Sequence, residues 1–194
     1  MIQITDALAE HHRQRAGEIY YEAFRRKLQP LVGKPASIER ILAAGFNLDM
    51  AIGALEDGQL LGLAGLHNRD KIFSRVSLPD CQAQLGRLHG LYAWAVLNMF
   101  SAGAHCPPNH LRIAAIAVDA SARGQGLGSR LLNAVIEKAR YAGFSAVRLE
   151  VVDTNPRAKK LYETFGFSTV QTHFYPITSR WLGFAKDYVM VKPL

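Results

Sequence analysis

The sequence predicts a single domain of the α/β (α+β) class, and three observations lead there. With 194 residues, the chain has room for one sizeable core and little for a second. No repeat, low-complexity run or Ser/Gly-rich linker divides it, so residues 1–194 read as one unit. A hairpin signal stands in the N-terminal half, and from Leu111 apolar runs of strand length alternate with amphipathic stretches of helix length.

Taken in order, Ile2 to Ile4 is a short opening strand. Thr5 or Asp6 then caps a helix whose apolar positions Ala16, Ile19, Tyr20, Ala23, Phe24 and Leu28 keep the helical period, and Pro30 closes it. Ser37 caps a second, shorter helix through about Ala44. Leu48, Met50, Ile52 and Ala54 alternate as in a strand, Asp57-Gly58 supplies a tight turn, and Leu60 to Leu66 returns. Residues 68–109 interrupt the strand order and read as an insert: a loop, then one helix around Leu85 to Phe100, uncharged from Leu88 on. Leu111 to Val118 is nearly all apolar, as for a strand covered on both faces. Leu127, Leu131, Leu132, Val135, Ile136 and Ala139 mark one face of a helix that Gly143 ends. Val147 to Val152 is a strand, Pro156 suits the first turn of a short helix ended by Gly166, and Val170 to Phe174 and Tyr188 to Val191 are closing strands.

An apolar share of 49% with 20% charged residues excludes disordered, collagenous and disulfide-dense classes. Cys81 and Cys106 form neither a zinc CxxC pair nor a disulfide framework, and no HxxxH or HxH spacing occurs, so no metal is expected. The start, MIQITDALAEHHRQR, lacks a basic cap followed by an apolar stretch. The expectation is therefore a reducing, cytoplasmic location. Leu88 to Leu111 contains no Asp, Glu, Lys or Arg and is long enough to cross a bilayer. It also carries His89, Asn98, His105, Asn109, His110 and the Pro107-Pro108 pair, so a buried helix ending near Ser101 is expected and no membrane partner.

The net charge of +7 is unevenly placed: Lys and Arg against Asp and Glu stand at 11 to 10 in residues 1–110 and at 12 to 6 in residues 111–194. An excess there points to an anionic partner, whether a phosphorylated cofactor, nucleic acid or an acidic substrate. Nucleic acid is not expected, since no basic cluster interleaved with exposed aromatics appears.

Arg123-Gly124-Gln125-Gly126-Leu127-Gly128 lies between the buried strand and an amphipathic helix. Glycines there let the backbone turn tightly and admit a ligand, and the helix N-terminus adds unpaired donors and partial positive charge, a combination suited to phosphate. Arg123 and Arg130 add candidate charge-assisted contacts. Taken alone, the loop is a weak signal. It is neither a P-loop, lacking Lys and Ser/Thr after the last glycine, nor a GxGxxG turn.

The runs IAAIAVDASARGQGLGSRLL and LEVVDTNPRAKKLYETFGF together strongly resemble the GNAT superfamily of acyl-CoA-dependent N-acetyltransferases. Arg123, Gly126 and Gly128 fit that family's (Arg/Gln)-x-x-Gly-x-(Gly/Ala) pyrophosphate loop, and Asn155, Tyr162 and the Gly166-Phe167 pair fit its second motif. The resemblance covers about residues 111–168. It implies a mixed, mostly antiparallel central sheet of six or seven strands flanked by helices, splayed between the two central strands that receive the cofactor. The implied co-substrate is acetyl-CoA and the implied partner an amine acceptor; a homodimer is common among relatives. Ile116, Ala117 and Val118 would face the pantetheine arm, the loop Arg123, Gly124, Gln125, Gly126, Leu127, Gly128 and Ser129 the pyrophosphate, Asn155 the cofactor arm, and Lys159 or Lys160 the adenosine phosphates.

Tyr162 holds the place where many relatives keep the general acid. Transfer to an amine expels a thiolate, whose conjugate acid has a pKa near ~8.5 in the cysteine analogue, and a tyrosine hydroxyl can protonate it. The amine, near pKa ~10.4 for a lysine, must first lose a proton. Glu150 matches the place of a catalytic glutamate in some N-terminal acetyltransferases of the family, and its neighbours Leu149 and Val151 put it near buried surface. His110, His67 and a water chain are other candidate bases. His11 and His12 read as solvated, and His89 and His105 as lining a pocket. Ser121, Ser129 and the cysteines have no evident His and Asp arrangement for covalent catalysis. Phe24, Tyr92, Trp94, Met99 and Phe100 predict a largely apolar acceptor wall. A non-catalytic acyl-CoA sensor of the same fold is the alternative reading.

Overall fold

The computed structural model describes residues 1–28, 33–102, 106–176 and 183–194. Strand β1 (Ile2–Thr5) opens the chain, and a 3-10 turn (Glu10–His12) leads into α1 (Arg13–Leu28) and α2 (Pro35–Ala44). The hairpin β2 (Ala51–Glu56) and β3 (Gln59–His67) follows, then α3 (Leu78–Leu85) and α4 (Arg87–Ala102). Next come β4 (His110–Val118), α5 (Leu127–Tyr141), β5 (Ala146–Val152), α6 (Pro156–Thr164), β6 (Ser168–Phe174) and β7 (Lys186–Pro193). The seven strands form one sheet in the order β1-β2-β3-β4-β5-β7-β6. Every neighbouring pair is antiparallel except β4 and β5.

Helices cover both faces. A Cβ on Gly62 of β3 would meet Leu131 of α5, while one on Gly65 would meet the Phe73 ring, which stacks on Phe46 at 4.5 Å beside Tyr20 of α1. The core accordingly runs through the sheet, with Leu63, Leu66, Leu131, Leu132 and Leu149 fully buried.

Several expected elements are corrected. The first helix begins at Arg13, not after a Thr5 or Asp6 cap, because Asp6 is drawn away to an ion pair with Lys138 (2.9 Å). Lys34, not Ser37, is the residue before α2, and Pro35 at the first helical position presets the backbone angle there. Leu48–Met50 is a 3-10 turn capped by the Asn47 side chain, which accepts from the Asp49 N–H; the strand starts at Ala51. The Asp57-Gly58 turn stands as expected, with φ of 49° and 79°. Pro30 and His105 lie outside the described residues.

The insert contains two helices rather than one. Ser77 caps α3 by accepting from the Asp80 N–H, Gly86 (φ 78°) breaks the chain's helical course, and α4 folds back on α3. Gly90 permits that approach: a Cβ there would stand 2.5 Å from the Gln82 Cα. No described helix is long and apolar enough to cross a membrane.

The feature that shapes the site is the centre of the sheet. The parallel ladder between β4 and β5 runs from His110 opposite Ala146 to Ile113 opposite Leu149 and stops. On the other side of β4, Ala115 pairs with Gly65 and Ile113 with Leu66, leaving Ala114 as an extra residue, a bulge. From Ala114 to Val118, β4 therefore has no strand partner on its β5 side.

Candidate active site

At the open end of this fork, Asp119 caps a 3-10 turn (Ala120–Ala122) and Arg123 Nε donates to the Val118 carbonyl at 3.1 Å. Gly124 and Gly126 take φ of 79° and 77°, the left-handed region in which glycine is unstrained. Gly126 precedes α5 without a capping side chain, and the first helical bond comes from the Arg130 N–H to its carbonyl at 3.1 Å. The amides of Leu127, Gly128 and Ser129 are thus left without intrahelical acceptors. A Cβ added to Gly124, Gly126 or Gly128 would meet nothing within 4 Å. An open, donor-lined cradle at a helix N-terminus fits a pyrophosphate. Around it the Leu127 side chain is buried in the core, Ser129 is half-buried, and Gln125 Nε2 donates to the Ser121 carbonyl at 3.2 Å. Arg130 is directed elsewhere, its Nη2 donating to the Ile2 carbonyl at 2.7 Å, so it ties α5 to β1 instead of serving the loop.

Beside the loop lies a cleft of about 480 Å³ lined by Glu22, Ala23 and Arg25 of α1 and by Ile116, Val118 and Arg123. Ile116 and Val118 are half-buried, whereas the Ala117 side chain belongs to the core, leaving only its backbone for a ligand. Across the fork, Asn155 caps α6 by accepting from the Ala158 N–H at 3.2 Å, which leaves its amide NH2 as a donor. Lys159 is engaged by Glu163 at 2.6 Å and lies 4.9 Å above the Tyr188 ring; Lys160 is exposed.

Tyr162 is half-buried with its ring 5.9 Å from that of Phe167, and its hydroxyl makes no hydrogen bond among the described residues. Burial pushes its pKa up, so at neutral pH it is a hydroxyl with a proton to give. Glu150 stands at the fork's base and accepts from Arg112 Nη2 at 2.8 Å. The Arg112 side chain is buried, and its Nη1 lies 3.4 Å from His67 Nδ1. Burial and this guanidinium push the His67 pKa down to about 4, so the ring is neutral and a weak base.

Sequence reasoning passed over Arg112, a lone cation in an apolar strand. It also missed Asp187, a buried carboxylate that accepts from Tyr175 Oη at 2.7 Å and pairs with His173 Nδ1 at 2.9 Å. Burial and the Asp187 and Glu150 charges push the Tyr175 pKa up to about 12. No linear spacing announces either cluster. One other expectation changes: His12 is buried beside His11 rather than solvated. Of the residues expected to form an apolar wall, Phe24 is half-buried, Tyr92 and Trp94 are exposed, and the Met99 and Phe100 side chains lie outside the described residues. His89, expected in a pocket, is exposed on α4. Both cysteines are free and buried, and no cluster of metal-ligating side chains occurs among the described residues.

Comparison with known proteins bears on the family and the fold. Over 64 residues the chain is 38% identical to the [ribosomal protein bS18]-alanine N-acetyltransferase of Haemophilus ducreyi, a match covering 32% of this chain and 44% of that protein. The chain spans less than half the length of the first curated relatives it matches, 20% and 44%. Among solved structures, a GCN5-related N-acetyltransferase from Kribbella flavida superposes with a TM-score of 0.64 at 19% identity, covering 100% of this chain and 98% of that one. The ribosomal-protein-S18-alanine N-acetyltransferase of Escherichia coli superposes with a TM-score of 0.59 at 20% identity, covering 100% and 94%. At such identities the two structures speak for the fold. Residues 10–167 match the acetyltransferase (GNAT) family as a whole, and the chain belongs to that family.

Proposed function

We propose that the protein transfers an acetyl group from acetyl-CoA to a primary amine, on a small molecule or on a peptide or protein N-terminus or lysine, by direct attack in a ternary complex. The observation that carries this reading is the fork itself. A strand edge without a strand partner from Ala114 to Val118 ends at a glycine loop with unpaired helix-terminal amides. Acetyl-CoA supplies an activated acetyl thioester. The Leu127, Gly128 and Ser129 amides hold its pyrophosphate, the free edge of β4 lies along its arm, and the Asn155 amide donates to that arm from the other side. Glu150 takes the proton of the attacking amine, directly or through water. As the nitrogen–carbon bond forms and the carbon–sulfur bond breaks, Tyr162 gives its hydroxyl proton to the departing thiolate. Two free, buried cysteines support a reducing compartment as the place of action.

Calorimetric titration with acetyl-CoA, repeated on the double variant Arg123→Glu, Gly126→Asp, tests the cofactor half. Micromolar binding that the variant loses is expected, followed by amine-dependent release of thiol. Absence of heat and of thermal stabilisation at millimolar acetyl-CoA refutes it. Binding without turnover on any amine makes the protein an acyl-CoA sensor instead.

A further inference from the structure

The α1-facing side of the sheet carries buried cationic donors that have no partner among the described residues. His67, Arg112 and Arg148 stand side by side on β3, β4 and β5: His67 pairs with Arg112, and Arg112 with Arg148. Paired residues project to one face, so the three form a row. Both guanidinia act on the thiol of Cys106, whose Sγ donates to the His110 carbonyl at 3.0 Å, which places all of them in one neighbourhood.

Glu150 meets Arg112, and His67 is neutral. Arg148 has no ion pair or hydrogen-bonded partner among the described residues, and the remaining residues, 29–32, 103–105 and 177–182, include no Asp or Glu. Two guanidinia therefore share the Glu150 carboxylate, while the second carboxylate of this face, Asp187, is taken up by Tyr175 and His173. In addition, Arg112 Nε, Arg148 Nε, His67 Nε2 and His110 Nδ1 are buried without partners among the described residues, and Arg112 and His67 are themselves only 7% and 4% exposed. Both arginine Nε atoms are N–H donors. Buried donors are costly unless something meets them.

We propose that this row is an anion subsite of the acceptor site, centred on Arg148 with Arg112 behind it, and that it takes a carboxylate of the acceptor. The inference rests on the reading that the amine is acetylated beside Glu150. A planar guanidinium fork suits a carboxylate. Glu150 lies two residues beyond Arg148 on β5, which sets amine and carboxylate roughly 7 Å apart at the strand rise of about 3.3 Å per residue. An extended ω-amino acid, such as 6-aminohexanoate or the lysine side chain with its carboxylate, spans that distance. The acceptor class inferred is thus an amine that also bears a carboxylate.

Thiol release with acetyl-CoA is to be compared for 6-aminohexanoate against 1-aminohexane, and for lysine against 1,5-diaminopentane. The native protein is expected to favour each carboxylate-bearing amine at least tenfold in kcat/KM. Arg148→Gln should bring that preference within threefold, chiefly by raising KM for the amino acid at least tenfold, and Arg148→Lys, which keeps the charge and loses the fork, should fall between. Equal use of both amines by the native protein, or equal loss of both in Arg148→Gln, overturns the proposal. Calorimetry with 6-aminohexanoate, hexanoate and inorganic phosphate gives a reading independent of turnover. Binding of the two carboxylates that Arg148→Gln loses supports the subsite even where no amine is acetylated; absence of binding at millimolar concentration, or binding of phosphate alone, overturns it. Failure of acetyl-CoA to bind would sink the acetyltransferase reading while this arm still reports on the row.

Discussion

Gly128 separates the demands of folding from those of the ligand. It lies in the first turn of α5 with a backbone that any residue accepts, and a Cβ there would meet no protein atom within 4 Å. Gly128→Ala should therefore fold at least as well as the native chain, since alanine is favoured over glycine inside a helix by up to about 1 kcal/mol. In a domain of this size such a gain raises Tm by roughly 2–4 °C. The added methyl group would occupy the open cradle over the Leu127, Gly128 and Ser129 amides. Loss of one charge-assisted hydrogen bond to phosphate, about 1.5–3 kcal/mol, would weaken acetyl-CoA binding by roughly 10- to 150-fold. Thermal denaturation and calorimetric titration of the same preparation read the two effects. An affinity within twofold of native, with Tm equal or higher, would refute the placement of the pyrophosphate against this turn.

Tyr162→Phe should lower kcat by about 10²-fold and leave Tm within a degree, because the lost hydroxyl has no partner among the described residues; an unchanged kcat removes tyrosine from the acid role. Gly90→Ala should destabilise the fold by about 1–3 kcal/mol, since its Cβ would be forced 2.5 Å from the Gln82 Cα, and urea denaturation measures the loss. His67 titrates at about 4 in the folded chain against about 6.5 when unfolded, so between those pH values the unfolded state binds more protons. Stability should hold above pH 6.5, fall as pH drops toward 4 by about 3 kcal/mol at most, and lose part of that slope in His67→Gln.

What could be read from the sequence was local. The glycine loop, its position between a buried strand and a helix, and Pro156 as a helix start all act within a few residues of themselves. The same holds for Asp57-Gly58. Features that depended on distant chain were misread or passed over. Asp6 could cap a helix by type, yet Lys138, 132 residues away, takes it. Arg130 sits where a phosphate ligand is wanted, but the Ile2 carbonyl, 128 residues away, claims its guanidinium. The alternation of Leu48, Met50, Ile52 and Ala54 joined a turn to a strand, because burial on both faces of β2 erases the period that would have shown the boundary. Arg112 looked like an interruption in a hydrophobic strand, and its meaning depends on Glu150, 38 residues on.

That ion pair joins the closed and the open parts of the sheet. Arg112 belongs to the last paired stretch of β4, and Glu150 is the first residue of β5 beyond the ladder, so their bond crosses between the strands where backbone hydrogen bonding stops. Below it, the strands are held by their peptide groups; above it, the Ala114 bulge turns β4 away and nothing on the backbone draws them together. A side-chain bond at the crotch of the fork limits how far the opening extends toward the sheet centre. It also fixes Glu150 by one oxygen, Oε2, and leaves Oε1 for the amine or a water. The residue that keeps the sheet closed below is thus the one that aims the proposed base above, and the Arg112 and Arg148 pair gives the proposed acceptor face polar groups that an apolar wall would not have. Selectivity among amines should then follow from what meets Arg148 and Arg112, while the glycine loop, proposed to hold only the cofactor, leaves the acceptor unspecified.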